Sequence, residues 1–154
     1  LLYLAQARPD CDIVLVGPDR GCVMLPELEA YPNVHLLGAV ESVDLPDYVA
    51  SFQVCLYLLR RSELQKDIIH SRLFDCLSSG RPIVAMLRPD QVEHFPDVIY
   101  GAHSPGEFVQ LCSTALAERG SWIRERRREY GRAAAWSERA NEVNRILESI
   151  GLFT

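Results

Sequence analysis

Apolar residues along the chain fall into two alternating kinds of run. Short, nearly continuous runs rich in β-branched residues stand at "DIVLVG" (12–17), "QVCLYLL" (53–59) and "PIVAML" (82–87), with two more at "NVHLLG" (33–38) and "DVIYGA" (97–102). Runs of this length without polar alternation predict strands buried on both faces of a parallel sheet. Between them the spacing is helical, which predicts helices over 1–7, 23–30, 45–51, 71–79, 105–118, 121–133 and 137–150. The helix over 105–118 has the clearest start. Ser104 is its N-cap, Pro105 its first residue, and Glu107 completes a capping box. In the last helix Ala140, Val143, Leu147 and Ile150 share a face, with Gly151 as its cap.

Strand–helix alternation over 154 residues predicts one α/β domain with a doubly wound parallel sheet of about five strands and helices on both faces. A βαβ domain usually opens on a strand that becomes central, whereas this sequence opens on a helix. We therefore expect a preceding strand and a larger parent protein. In such sheets ligands bind beyond the carboxyl ends of the strands. Those ends are Gly17-Pro18-Asp19, Gly38-Ala39-Val40, Leu59-Arg60-Arg61 and Met86-Leu87-Arg88.

Composition narrows the choice of partner. Formal net charge is -5, which disfavours nucleic acid. Its one basic cluster, "RERRREYGR" (124–132), reads as a solvated helix face or, secondarily, a helix resting on an anionic membrane. No apolar run approaches the ~20 residues of a membrane span. The five cysteines, 11, 22, 55, 76 and 112, form no C-x-x-C and read as free thiols, with 55, 76 and 112 in apolar surroundings. Neither they nor the four histidines show metal-ligand spacing.

The most informative stretch is "IIHSRLFDCLSSGRPIVAM", residues 68–86. On a helical projection Leu73, Phe74, Cys76 and Leu77 take one side, and Ser71, Asp75, Ser78 and Ser79 the other. Free N–H groups near Ser71, Arg72 and Leu73 suit a diphosphate. A carboxylate one turn in, Asp75, suits a ribose diol. The residues alone favour a plainer reading, a surface Asp75 paired with Arg72.

This segment resembles the donor site of family-4-like GT-B glycosyltransferases, whose pattern is P-x-K-L-x-E-Y-L-A-x-G-K-P-V-V. Arg72 stands at the Lys, Asp75 at the Glu, and Gly80-Arg81-Pro82-Ile83-Val84 at G-K-P-V-V. "PDCDIVLVGP", "YPNVHLLGAVESVDLPDYVASFQVCLYLL" and "AAAWSERANEVNRIL" resemble further segments of that family, in order, from about residue 8 to 150.

The resemblance implies the Rossmann-like C-terminal half of a GT-B fold. It implies a retaining hexosyltransferase acting on a glycan or cell-surface polysaccharide, with a UDP- or GDP-type nucleotide sugar as substrate and no metal or other cofactor. Asp75 would hold the ribose and the backbone before it the diphosphate. Gly17, Ala39 and Val40 would lie at the donor, the last two near the base. Asp67, eight positions before Asp75, would meet the sugar. The family's basic groups at the diphosphate come from an earlier strand–loop that this sequence does not contain; Arg60, Arg61 and Lys66 would either take their place or be solvated loop charges. No catalytic residue falls within this chain. An N-terminal acceptor-binding domain is the implied partner, so the domain alone would bind without turnover. The implied location is the cytoplasm, with the membrane's inner face as a further possibility.

The departures are specific. Both acids are Asp rather than Glu, the family's Pro and Gly-rich turn are absent from residues 60–70, and Gln53 replaces the Asp of F-D-V. They keep an alternative open, a degenerate non-catalytic module acting in protein interaction. A sugar-nucleotide epimerase is a weaker third reading.

Overall fold

The computed structural model describes residues 1–19, 21, 24–58, 69, 71–87 and 89–152. The element order is α1 (Leu2–Ala7), β1 (Ile13–Val16), α2 (Leu25–Glu29), β2 (Val34–Gly38), α3 (Leu45–Ser51), β3 (Cys55–Leu58), α4 (Arg72–Ser79), β4 (Ile83–Met86), α5 (Pro89–Val92), β5 (Tyr100–Gly101), α6 (Pro105–Ala117), α7 (Ser121–Ala133) and α8 (Trp136–Ser149). Each predicted element has a counterpart, and α5 is additional. The strand expected over 97–102 shrinks to two residues. Pro96 precedes Asp97, which takes a left-handed conformation at φ 66°. Val98 and Ile99 are buried there without being extended.

The strands are parallel but form two groups, β1–β2 and β3–β4–β5. This corrects the expectation of one continuous sheet of about five strands. Among the described residues no strand joins β1 to β3. An apolar run marks a segment as buried, but pairing is decided by backbone partners that the run does not specify.

Period-two alternation splits the strand side chains between two cores. Cys55, Tyr57, Ile83 and Ala85 pack with Leu73 and Leu77 of α4. Val54, Leu56, Leu58, Val84 and Met86 pack with Leu4 and Ala5 of α1 and with Phe108, Cys112 and Ala115 of α6. Helices therefore cover both faces. Ile13 and Leu15 of β1 join the second core, so the two strand groups share it. Asn33, the buried Asn of "YPNV", donates through Nδ2 to the carbonyls of Ala5, Arg8 and Cys11 and ties the α1–β1 turn to the start of β2.

At the head of α6 the capping box forms with one change. The Glu107 N–H donates to Ser104 Oγ at 3.2 Å, while its carboxylate accepts from His103 N at 2.7 Å, one residue before the N-cap.

Helix α4 packs on α7 through their smallest residues. A Cβ on Gly131 would lie 2.7 Å from both the N and the Cα of Ser78. One part of the serine side of α4 is thus a helix–helix contact. The "RERRREYGR" segment is likewise corrected as a wholly solvated face. Arg127 is fully buried. It donates to Glu118 at 2.6 and 2.7 Å and, through Nε, to the Val98 carbonyl at 2.8 Å. Its phase explains the inward turn, since Ile123, Arg127, Tyr130 and Gly131 share one side of α7. By contrast, no residue of α8 is buried.

Among the described cysteines, Cys55 and Cys112 are buried and Cys11 and Cys76 half-buried, all as free thiols. Cys22 lies outside the described residues.

Candidate functional site

Helix α4 begins without a side-chain cap, because the Ser71 hydroxyl makes no capping bond. The Ser71 carbonyl accepts the N–H groups of Phe74 at 2.8 Å and Asp75 at 3.3 Å. No backbone acceptor takes the N–H groups of Arg72 or Leu73 among the described residues. Among the described residues these two donors therefore stand without an acceptor at the positive end of the helix dipole. The Leu73 side chain is fully buried and anchors this turn in the core, so Leu73 offers only its backbone. At its other end α4 closes on Gly80, left-handed at φ 73°.

Asp75 and Arg72 are both exposed. Among the described residues no hydrogen bond or ion pair engages the Asp75 carboxylate, and the expected pair with Arg72 does not close to within 4.0 Å. Partial burial raises the Asp75 pKa, and the nearby Arg72 charge opposes that rise. Phe74, the obvious side chain to block a cleft here, is engaged elsewhere. Its ring meets Phe95 edge-on at 6.0 Å, and the Arg139 guanidinium of α8 lies 5.6 Å from it.

The other predicted positions stand at the carboxyl ends of β1 and β2. The Gly17 N–H donates to the Gly38 carbonyl at 2.8 Å. Both glycines have positive φ, 146° and 71°, and a Cβ on either would meet nothing within 4 Å. That backbone is therefore open to a ligand. Ala39 is exposed and Val40 half-buried. Beside them a cleft of about 470 Å³ is lined by Asp19, Leu25, Glu29, Leu36 and Gly38, among others. The Ser71–Asp75 cluster and the Gly17–Val40 cluster belong to different strand groups, and no hydrogen bond joins them among the described residues. Asp67, Arg60 and Arg61 lie outside the described residues, as does Lys66. No group of three or more His, Cys, Asp or Glu among the described residues is placed to hold a metal ion. No helix among them is long and apolar enough to cross a membrane.

A family model described as "Glycosyl transferase-like" matches residues 1–145. The chain belongs to that family. A curated relative is TuaH of Bacillus subtilis (strain 168), named as a teichuronic acid biosynthesis glycosyltransferase. The two are 27% identical over 140 residues, which covers 86% of this chain and 35% of the relative. The chain thus spans about a third of the length of the relative it matches.

Sequence reasoning did not single out Arg127 or Asn33. Arg127 was visible in its helical phase with Ile123 and Tyr130. Asn33 was quoted as part of "YPNV", yet nothing in its neighbours distinguishes a buried staple from a turn residue.

Proposed function

We propose that this chain is the nucleotide-sugar donor-binding domain of a glycosyltransferase, the Rossmann-like C-terminal half of a GT-B enzyme. The observation that carries the reading is the Asp75 carboxylate one turn behind the N–H groups of Arg72 and Leu73, all without a hydrogen-bond partner among the described residues, in a glycosyl transferase-like chain. The N–H groups of Arg72 and Leu73 bind the diphosphate, and Asp75 accepts from the ribose hydroxyls. Gly17, Ala39 and Val40 frame the base beside the β2 cleft. Arg60 and Arg61 supply positive charge to the phosphates, and Asp67 meets the sugar. An Asp is one methylene shorter than the family's Glu, and the open setting of Asp75 leaves room for the ribose to approach it. The edges of β1 and β3 that have no strand partner among the described residues fit a further parallel strand between them, which would complete a single doubly wound sheet.

The reaction is transfer of a hexose with retention to a hydroxyl of a polysaccharide acceptor. The bond from the anomeric carbon to the diphosphate oxygen breaks, and a bond to the acceptor oxygen forms on the same face. The acceptor proton is released and the nucleoside diphosphate leaves. Preorganised N–H donors and cationic side chains stabilise the charge that grows on that leaving group. The acceptor is held against the anomeric carbon by a second, N-terminal domain, whose contribution is orientation. The name of the relative favours a cell-envelope polysaccharide as the acceptor class, and the enzyme works in the cytoplasm.

An assay of nucleoside diphosphate release from UDP- and GDP-hexoses, with polysaccharide acceptor, tests the reading. The parent polypeptide should release nucleotide only with acceptor present, and the 154-residue chain alone should not turn over. Acceptor-independent indifference of the parent polypeptide to every nucleotide sugar would sink it.

A further inference from the structure

Helices α4 and α7 lie antiparallel in close contact. Gly131 meets Ser78, while Arg124 and Arg128, earlier on α7, meet Gly80 beyond the end of α4. The carboxyl end of α7 therefore comes up beside the amino end of α4, and α8 starts within a few residues of it. Helix α4 connects the parallel strands β3 and β4, so it runs back against their direction. Its amino end accordingly stands at the carboxyl ends of the strands, where α/β sheets take their ligands.

There the first turn of α8 carries Arg139 over the Phe74 ring, with the guanidinium carbon 5.6 Å from the ring centroid. Phe74 is the third residue of α4. Helical side chains lean back toward the amino end, and residues three apart are neighbours. The ring therefore covers the flank of Ser71, beside the turn whose Arg72 and Leu73 N–H groups lack an acceptor among the described residues. Edge contact with Phe95 at 6.0 Å fixes the ring from the core side.

The charge of Arg139 is not neutralised locally. Its Nε donates to the Ala134 carbonyl at 3.2 Å. Among the described residues it forms no ion pair, not even with Glu138 or Glu142 of its own helix. Arg126, Arg127, Arg128 and Arg132 of α7 each meet a glutamate instead. A guanidinium stacked on an aromatic face keeps its in-plane N–H groups available for a phosphate. The head of α4 needs such a group, because a helix terminus supplies only about half a positive charge.

We propose that Arg139 is a further phosphate-binding residue of the donor site, whose guanidinium, held over Phe74, meets the diphosphate at the head of α4. The proposal rests on the donor-site reading above and adds a cation from α8 to it. That cation meets the same growing charge on the leaving group as the α4 N–H groups.

Calorimetric titration of the parent polypeptide with UDP and GDP, on two variants, tests this. Arg139→Met keeps an unbranched side chain over Phe74 but removes the charge. It should weaken the nucleoside diphosphate that binds by about tenfold or more. It should leave the ligand-free melting temperature within about 4 °C. Arg139→Lys keeps the charge and should retain most of the affinity. Unchanged affinity in Arg139→Met would overturn the proposal. So would equal losses in both variants with a falling melting temperature, which would make Arg139 a packing residue. No binding by the unsubstituted polypeptide is a separate result, which overturns the donor-site reading and the role of Arg139 with it.

Discussion

Asp75 and Glu118 are two carboxylates with opposite electrostatic fates. Partial burial raises the Asp75 pKa, and among the described residues no hydrogen bond compensates. An acid whose folded pKa lies above its unfolded value costs stability once ionised, and that cost disappears as pH falls through the folded value. Asp75→Asn should therefore leave stability at pH 7 unchanged or slightly higher, as urea denaturation would show. A clear loss of stability would mean that Asp75 is structural. Burial alone would raise Glu118 too, but hydrogen bonds from Arg127 and Tyr100 outweigh it and leave the carboxyl below its usual range. The stability it contributes is fully present above the ordinary carboxylate range and is lost as pH falls through the depressed folded value. Glu118→Gln strands the buried Arg127 charge and should cost about 3–5 kcal/mol. A loss below about 1 kcal/mol by denaturant titration would contradict that account. Asp75 stood out in the sequence because its helix phase isolates it. Arg127 did not, because it is one of five arginines between residues 124 and 132.

At the scale of elements, the α4–α7 contact sets where Asp75 stands. The contact is backbone to backbone, so Gly131→Ala should force the helices apart and cost about 1–3 kcal/mol. Thermal unfolding would report the loss. Ser78→Gly should not rescue it, because the clash includes the N and Cα of Ser78. Full rescue would place the contact in the side chain instead. The helices were legible because caps and periodicity agree, as at Ser104, Pro105 and Glu107. Helix α5 was not, since four residues are too short for a period to show. The run 97–102 misled because Val98 and Ile99 are apolar for burial rather than extension, with Pro96 and left-handed Asp97 interrupting the chain.

For the whole molecule, fold class and the two-faced core could be read from the strand–helix alternation, because β3 and β4 each supply both cores. The split into two strand groups could not, since pairing depends on which backbone edges meet. The candidate site was legible as far as one helix carries it, Ser71 to Asp75. Its relation to the Gly17–Val40 cluster depends on strand placement, which no local pattern encodes. The central claim is that Asp75 and the start of α4 bind a nucleoside diphosphate. Calorimetric titration with UDP, GDP and their hexoses, repeated on Asp75→Ala, tests it most directly. The account predicts that one of the two nucleotide classes binds, and that the variant weakens it about tenfold or more while keeping its fold. Equal affinity in the variant, or no binding even in the parent polypeptide, would contradict it.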